Sequence, residues 1–163
     1  MTGTALVTGA SRGIGREVAR TLASEGWRVL SGVRDPDTAF PGTEPEVLDV
    51  ADARAIEALA DRLRARNERL DALVNNAGVY RGPARQIWDV NVLGPLRLTR
   101  ALAPLLARNA RVVMVTSGLG RLTAQSAGLV TRLSSKALSL VELERLAQEA
   151  PGGTARARLC STR

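Results

Sequence analysis

The chain of 163 residues has no histidine, one cysteine, one lysine and one tyrosine. Without histidine, a Ser-His-Asp triad cannot be assembled. With a single cysteine as well, the usual nitrogen and sulfur ligands of zinc are missing, so no metal site is expected. Cys160 alone excludes an intramolecular disulfide framework and fits a reducing compartment, which makes a cytoplasmic protein the expectation. No run approaches the ~18 apolar residues of a membrane span. The N-terminus enters an apolar strand within three residues and does not resemble a signal peptide. Aromatic residues make up only 2% of the chain, so few side chains could stack on nucleic-acid bases.

What the chain does contain is arginine. The formal charge is +7, carried by 22 arginines and Lys136. The arginines are scattered and alternate with alanine and leucine, as on solvated helix faces, rather than gathered into a nucleic-acid-binding stripe. Neither a nucleic-acid nor a membrane partner is expected. Apolar residues at 45% and a one-domain length suit a single globular unit over residues 1–163.

Apolar strands alternate with amphipathic helices along the sequence. "TALVTG" predicts a buried strand and "SRGIGREVARTLASEG" a helix closed by Gly26. "WRVLSGV" predicts a second strand, "RDPDTAFPGTEPE" a turn-rich connection and "VLDV" a third strand. A helix over "ADARAIEALADRLRARN" and a strand-loop "LDALVNNAG" follow. "QIWDVNVLGPLRLTRALAPLLARN" predicts a long helix bent or interrupted at Pro95 and Pro104. "ARVVMVTSG" predicts the fifth strand, "RLSSKALSLVELERLAQEA" a helix before Pro151-Gly152-Gly153, and "TARARLCSTR" an edge strand. This alternation implies an α/β fold: a Rossmann-type, doubly wound parallel sheet in three layers, α/β/α.

"TGASRGIG" joins the first strand to the first helix with glycines at Gly9, Gly13 and Gly15. Glycine lets backbone approach a pyrophosphate closely, and the helix N-terminus offers free N–H groups. Ser11, Arg12 and Ile14 belong to the same turn. The Gly-Lys-Ser/Thr of a P-loop is absent.

With four further motifs in order, the sequence resembles the short-chain dehydrogenase/reductase family. Asp49-Val50 matches the position where the family holds adenine. "NNAG" (Asn75 to Gly78, with Asn76, Ala77 and Gly78 at the cofactor) matches the loop that stabilises the sheet and lines the site. Asn91 in "VNVLGPL" matches the active-site asparagine that helps to hold a water in a proton relay. Ser117 in "RVVMVTS" matches the serine that bonds the substrate carbonyl. Read without the family, Asn91 pins backbone through its amide and Ser117 caps a strand end. The spacing from Gly78 to Asn91 is shorter than in the family, implying a trimmed loop over the cofactor.

The resemblance implies a nicotinamide cofactor. Where NAD-preferring relatives carry an acid after the second strand, this chain has Val33, followed by Arg34; Arg12 lies in the glycine turn. Two guanidinium groups favour a 2′-phosphate, hence NADPH first and NADH second. Asp35 is the alternative, as a ribose acid one or two residues along.

The family also places a tyrosine four residues before a lysine on one helix. Arg132 stands four before Lys136, and Thr131 occupies the position after a one-residue slip. Two alignments compete. In the first, "SSKALSLVELERLAQEAPGG" is the active-site helix and Lys136 the family lysine. In the second, the stretch resembles an insertion found after the serine in carbonyl-reductase-like members, with Ser139 and Glu142 capping a fresh helix, Lys136 in a loop and the catalytic pair expected beyond the end of this chain. Neither supplies the phenol. Tyr80 follows "NNAG" and is out of position, and arginine is a poor proton donor.

The family's last strand and substrate-binding lobe are not found in the sequence, so the sheet is expected to be incomplete on its C-terminal side. Truncation, a frame slip and a decayed paralogue would each produce this pattern. The expected activity is oxidoreduction of a small carbonyl or alcohol with NADPH, carried by Asn91, Ser117 and Lys136. The alternative is a non-catalytic NADP(H)-binding module, and a homo-oligomer is expected through the helices containing Asn91 and Lys136.

Overall fold

In the computed structural model, which describes residues 2–118, 121 and 125–149, strand β1 (Thr4–Thr8) forms the middle of a five-stranded sheet. Strands β2 (Arg28–Val33) and β3 (Glu44–Val47) extend it one way, β4 (Leu70–Asn75) and β5 (Leu106–Met114) the other. The order is β3-β2-β1-β4-β5 and every pairing is parallel. Successive side chains of a strand point to opposite faces, and the strands use both. Leu6, Leu30 and Leu73 pack on one face with helices α2 (Ala53–Ala65) and α4 (Gly94–Leu102), through Ile56, Leu59, Leu63, Leu98 and Leu102. Val7, Val29 and Val74 point the other way, onto Val18, Ala19 and Leu22 of α1 (Gly13–Ser24). The expected three-layer arrangement is present. The strand order reverses at β1, which opens a crevice at the carboxyl ends of β1 and β4.

Three local expectations shift. The third strand is "EPEV" rather than "VLDV". It is the outermost strand, where a proline costs no ladder bond because its nitrogen can face away from the sheet. Leu48 and Val50 are buried just beyond it and carry the chain back to the core. The fifth strand begins at Leu106 rather than Ala110, and its register to β4 is interrupted between Leu70 and Ala72.

The long helix is also divided, into α3 (Ala84–Trp88), a π turn at Asp89–Leu93, α4 and a 3-10 turn at Ala103–Leu105. Pro95 has no N–H to give the carbonyl four residues earlier, that of Asn91. The backbone widens there instead, with the Gly94 N–H donating to the Asp89 carbonyl.

The region around Lys136 is two helices, α5 (Ala127–Leu133) and α6 (Leu140–Glu149). Ser139 Oγ accepts from the Glu142 N–H at 3.1 Å and starts α6 afresh. Leu129, Leu133, Leu143 and Leu146 of this hairpin pack on Trp88, Val92 and Leu93, and Arg97 pairs with Glu144 at 2.6 Å. The two helical regions expected to associate between copies thus pack together within one chain. The expected Pro151-Gly152-Gly153 turn and the strand after it lie outside the described residues. Among the described residues, no helix is long and apolar enough to cross a membrane.

Leu98 is fully buried between α2 and the sheet. Leu98→Ala should lower stability by about 2–5 kcal/mol, measured as a fall in the urea midpoint with unchanged slope.

Candidate functional site

Thr8, the last residue of β1, is buried and turns its hydroxyl toward the end of β4. Its Oγ accepts from the N–H groups of Asn76 and Ala77, at 3.0 Å each, and donates to the Val74 carbonyl. The Asn76 amide donates in return to the carbonyls of Thr8 (2.9 Å) and Gly9 (3.3 Å). These bonds clamp the glycine turn against the Asn-Asn-Ala-Gly loop, and the contact leaves no room for side chains. A Cβ on Gly15 would come within 2.4 Å of the Gly9 carbonyl oxygen, and one on Gly9 within 2.8 Å of Ala77 Cα. Gly13 differs. Its φ of +56° demands glycine, yet a Cβ there would meet nothing within 4 Å. The first turn of α1 has no side-chain cap, so its N–H groups are left for another acceptor.

Around this turn lies a cavity of about 400 Å³. All of Gly9, Ser11, Arg12, Gly13, Ile14 and Gly15 line it, with Ile14 66% exposed. Arg34 lines it from the end of β2, Asp49 and Val50 from beyond β3, and Asn76, Ala77 and Gly78 from beyond β4. Glycine backbone, uncapped N–H groups and two guanidiniums suit an elongated anionic ligand such as a dinucleotide. Asp49 is the only carboxylate among the described lining residues, and its Oδ1 accepts from the Ala51 N–H at 2.9 Å. Asp35 does not line the cavity. Its carboxylate caps the 3-10 turn Pro36–Thr38 by accepting from the Asp37 N–H. Several lining residues were not singled out in the sequence, among them Gly32, Leu48, Ala51, Val79, Gln86 and Val90. The last two are four apart and lead into Asn91, a spacing that puts them on one helix face.

The three candidate catalytic residues are not brought into this cavity. Asn91 lines a second, much smaller one with Asn75, Ala77, Pro95, Met114, Val115 and Thr116. Its amide clamps the loop after Gly78 from both sides: Oδ1 accepts from the Val79 N–H at 2.9 Å, and Nδ2 donates to the Val79 carbonyl at 2.6 Å. Ser117 follows Thr116 in the chain. Its Oγ is buried and has no hydrogen-bond partner among the described residues. Lys136 is exposed on the turn between α5 and α6 and borders neither cavity.

The one-helix expectation for Arg132 and Lys136 is therefore corrected. Ser139 restarts the helix after Lys136, so the two residues do not share an i, i+4 face. Arg132 is instead held by Glu149 at 2.8 Å and Glu142 at 2.9 Å, which raise its pKa further from any proton-donating range. Arg145 and Arg132 push Glu142 down to about 2.

These elements define a Rossmann-type α/β domain with its cleft at the strand carboxyl ends. The chain belongs to the short chain dehydrogenase family, whose model matches residues 3–149. It is 37% identical over 156 residues to the 1-hydroxy-2-glutathionyl-2-methyl-3-butene dehydrogenase of a Rhodococcus species, covering 86% of this chain and 68% of that protein. Menthone neomenthol reductase from Mentha piperita superposes with a TM-score of 0.78 at 26% identity, over 90% of this chain and 72% of that one. A metagenomic short-chain oxidoreductase solved in complex with NADP is 38% identical, over 64% of this chain and 56% of that one, with a TM-score of 0.56. The chain spans about half the length of several other curated relatives it matches.

Two outcomes are expected. Gly15→Ala should displace the clamped backbone and abolish nucleotide binding. Gly13→Ala meets only the left-handed penalty of about 1–2 kcal/mol and should retain part of it; calorimetric titration of both variants checks this. Separately, a depressed Glu142 pKa stabilises the α5–α6 hairpin above the carboxyl's ordinary value of 4.5 and loses that effect as pH falls through about 2. The difference in urea midpoint between the wild type and Glu142→Gln should be full above pH 4.5 and vanish near pH 2.

Proposed function

We propose that the cavity binds NADP(H), with NADH as the weaker ligand, and that the protein serves oxidoreduction of a small carbonyl or alcohol in the cytoplasm. The glycine turn and the first turn of α1 would hold the pyrophosphate, Asp49 and Val50 would border adenine, and Asn76 to Gly78 would flank the inner ribose. The observation that carries the NADP(H) assignment is the pair Arg12 and Arg34 at one cavity, with the Asp35 carboxylate turned away into its own cap. The likeness to an oxidoreductase solved with NADP agrees with it. When bound, the nicotinamide supplies or accepts the hydride. Ser117 Oγ, buried without a partner among the described residues, is a donor for a carbonyl oxygen, and Asn91 fixes the backbone of Val79 beside the cofactor.

A second reading is a non-catalytic NADP(H)-binding module, favoured by a specific observation. Among the described residues no tyrosine-lysine pair shares a helix face: Arg132, four residues before Lys136, is engaged with Glu142 and Glu149, and Lys136 is on an exposed turn. The two readings share cofactor binding and differ in turnover. Titration with NADPH and NADH, followed by emission of Trp27 and Trp88, should saturate with NADPH tighter by at least tenfold, or about 1.4 kcal/mol. Equal affinities would overturn the arginine assignment, and no binding by the folded chain would overturn the site. Oxidation of NADPH by a simple aldehyde would then eliminate the module.

A further inference from the structure

Arg16 is on α1, one turn beyond Arg12, and does not line the cavity. Its Nη1 donates to two backbone carbonyls at once, Ser11 at 3.3 Å and Thr38 at 3.3 Å. Its guanidinium carbon stands 5.4 Å from the centre of the Phe40 ring, within cation–π range. Ser11 immediately precedes Arg12. Thr38 and Phe40 belong to the connection that leaves β2 through Arg34 and reaches β3 only at Glu44. That connection contains Pro36 and Pro41 and has only the short turn Pro36–Thr38 as regular structure. Among the described residues, no other side chain hydrogen-bonds the glycine turn to it.

We propose that Arg16 is a positioning residue for cofactor selectivity. It fastens together the two backbone segments that carry Arg12 and Arg34, and so sets the spacing of the two guanidiniums that receive a 2′-phosphate. This rests on the NADP(H) reading above. An unfastened connection would leave Arg34 to be ordered at the moment of binding, and that loss of freedom would weaken the ligand that uses Arg34. NADH makes no demand on that spacing. The pyrophosphate cradle, meanwhile, is held by Thr8 and Asn76 on the opposite side of the turn. The geometry therefore separates affinity for the dinucleotide from preference for its phosphorylated form.

The test compares dissociation constants of NADPH and NADH for the full chain and its variants. Arg16→Gln is expected to weaken NADPH about tenfold and NADH less than about twofold. Arg16→Lys, which keeps a cation able to reach the carbonyls, should recover part of the ratio. Phe40→Leu removes only the ring stack and should shift the ratio the same way by less, which provides a reading even if Arg16→Gln fails to fold. Equal weakening of both cofactors, or an unchanged ratio in Arg16→Gln and Phe40→Leu, would overturn the proposal. Arg12→Gln and Arg34→Gln separate the two levels. If they lower the ratio while the Arg16 variants do not, the positioning role alone fails. If they leave it unchanged, the 2′-phosphate reading fails and the positioning role with it.

Discussion

The clamp between the ends of β1 and β4 is the constraint on which the site depends. Those two strands are neighbours in the sheet but 62 or more residues apart in sequence, from Thr8 to Leu70. Their loops diverge at the switch point, where no ladder bond can tie them. The Thr8 hydroxyl does so with two accepted bonds and one donated, and the Asn76 amide closes the contact from the other side. Because the partners are backbone groups on both sides, the loops approach until only glycine fits at positions 9 and 15. The open space at Gly13 and the uncapped first turn of α1 then face the cavity rather than the protein.

A second theme is how arginine is used. Arg28 links β2 to Glu44 on β3 and to Glu68 before β4, and these two carboxylates raise its pKa. Arg62 and Arg66 of α2 and the residue after it both reach the buried Glu46. Arg132 and Arg145 share Glu142 and Glu149 across the α5–α6 hairpin. Each exposed pair contributes little alone, but forked guanidiniums bridging two or three elements fix their relative placement. Arg12 and Arg34 are not drawn into any of these bridges. They are also the two that line the cavity.

The residues singled out for a cofactor meet at one place in the fold. Glycine spacing, the strand-turn-helix context and the Asn-Asn-Ala-Gly loop are local patterns, and each maps to a local backbone shape. The twelve residues they indicated line one cavity. The short interval from Gly78 to Asn91 was visible, but not what it positions. That Gln86 and Val90 would reach the cavity depends on how α3 is set by Asn91 holding Val79. The stretch around Lys136 was ambiguous, because "SSKALSL" satisfies both a continuous helix and a capped restart. Local propensity differs little between them, and the choice turns on Leu133, Leu143 and Leu146 finding Trp88 and Leu93 across the hairpin.

The sequence by itself determined the layer architecture, the parallel sheet and the position of the glycine-rich turn. Two-residue and 3.6-residue periodicities and glycine are short-range codes, read within one element. Tertiary structure decided which strand edge the proline-containing "EPEV" takes, whether Arg132 faces a substrate or two glutamates, and which carbonyls Arg16 joins. Those outcomes depend on groups of different elements meeting at a few ångströms, as Arg132 meets Glu142 and Glu149 of α6 and Arg16 meets Thr38 beyond β2, and local propensity does not specify such meetings.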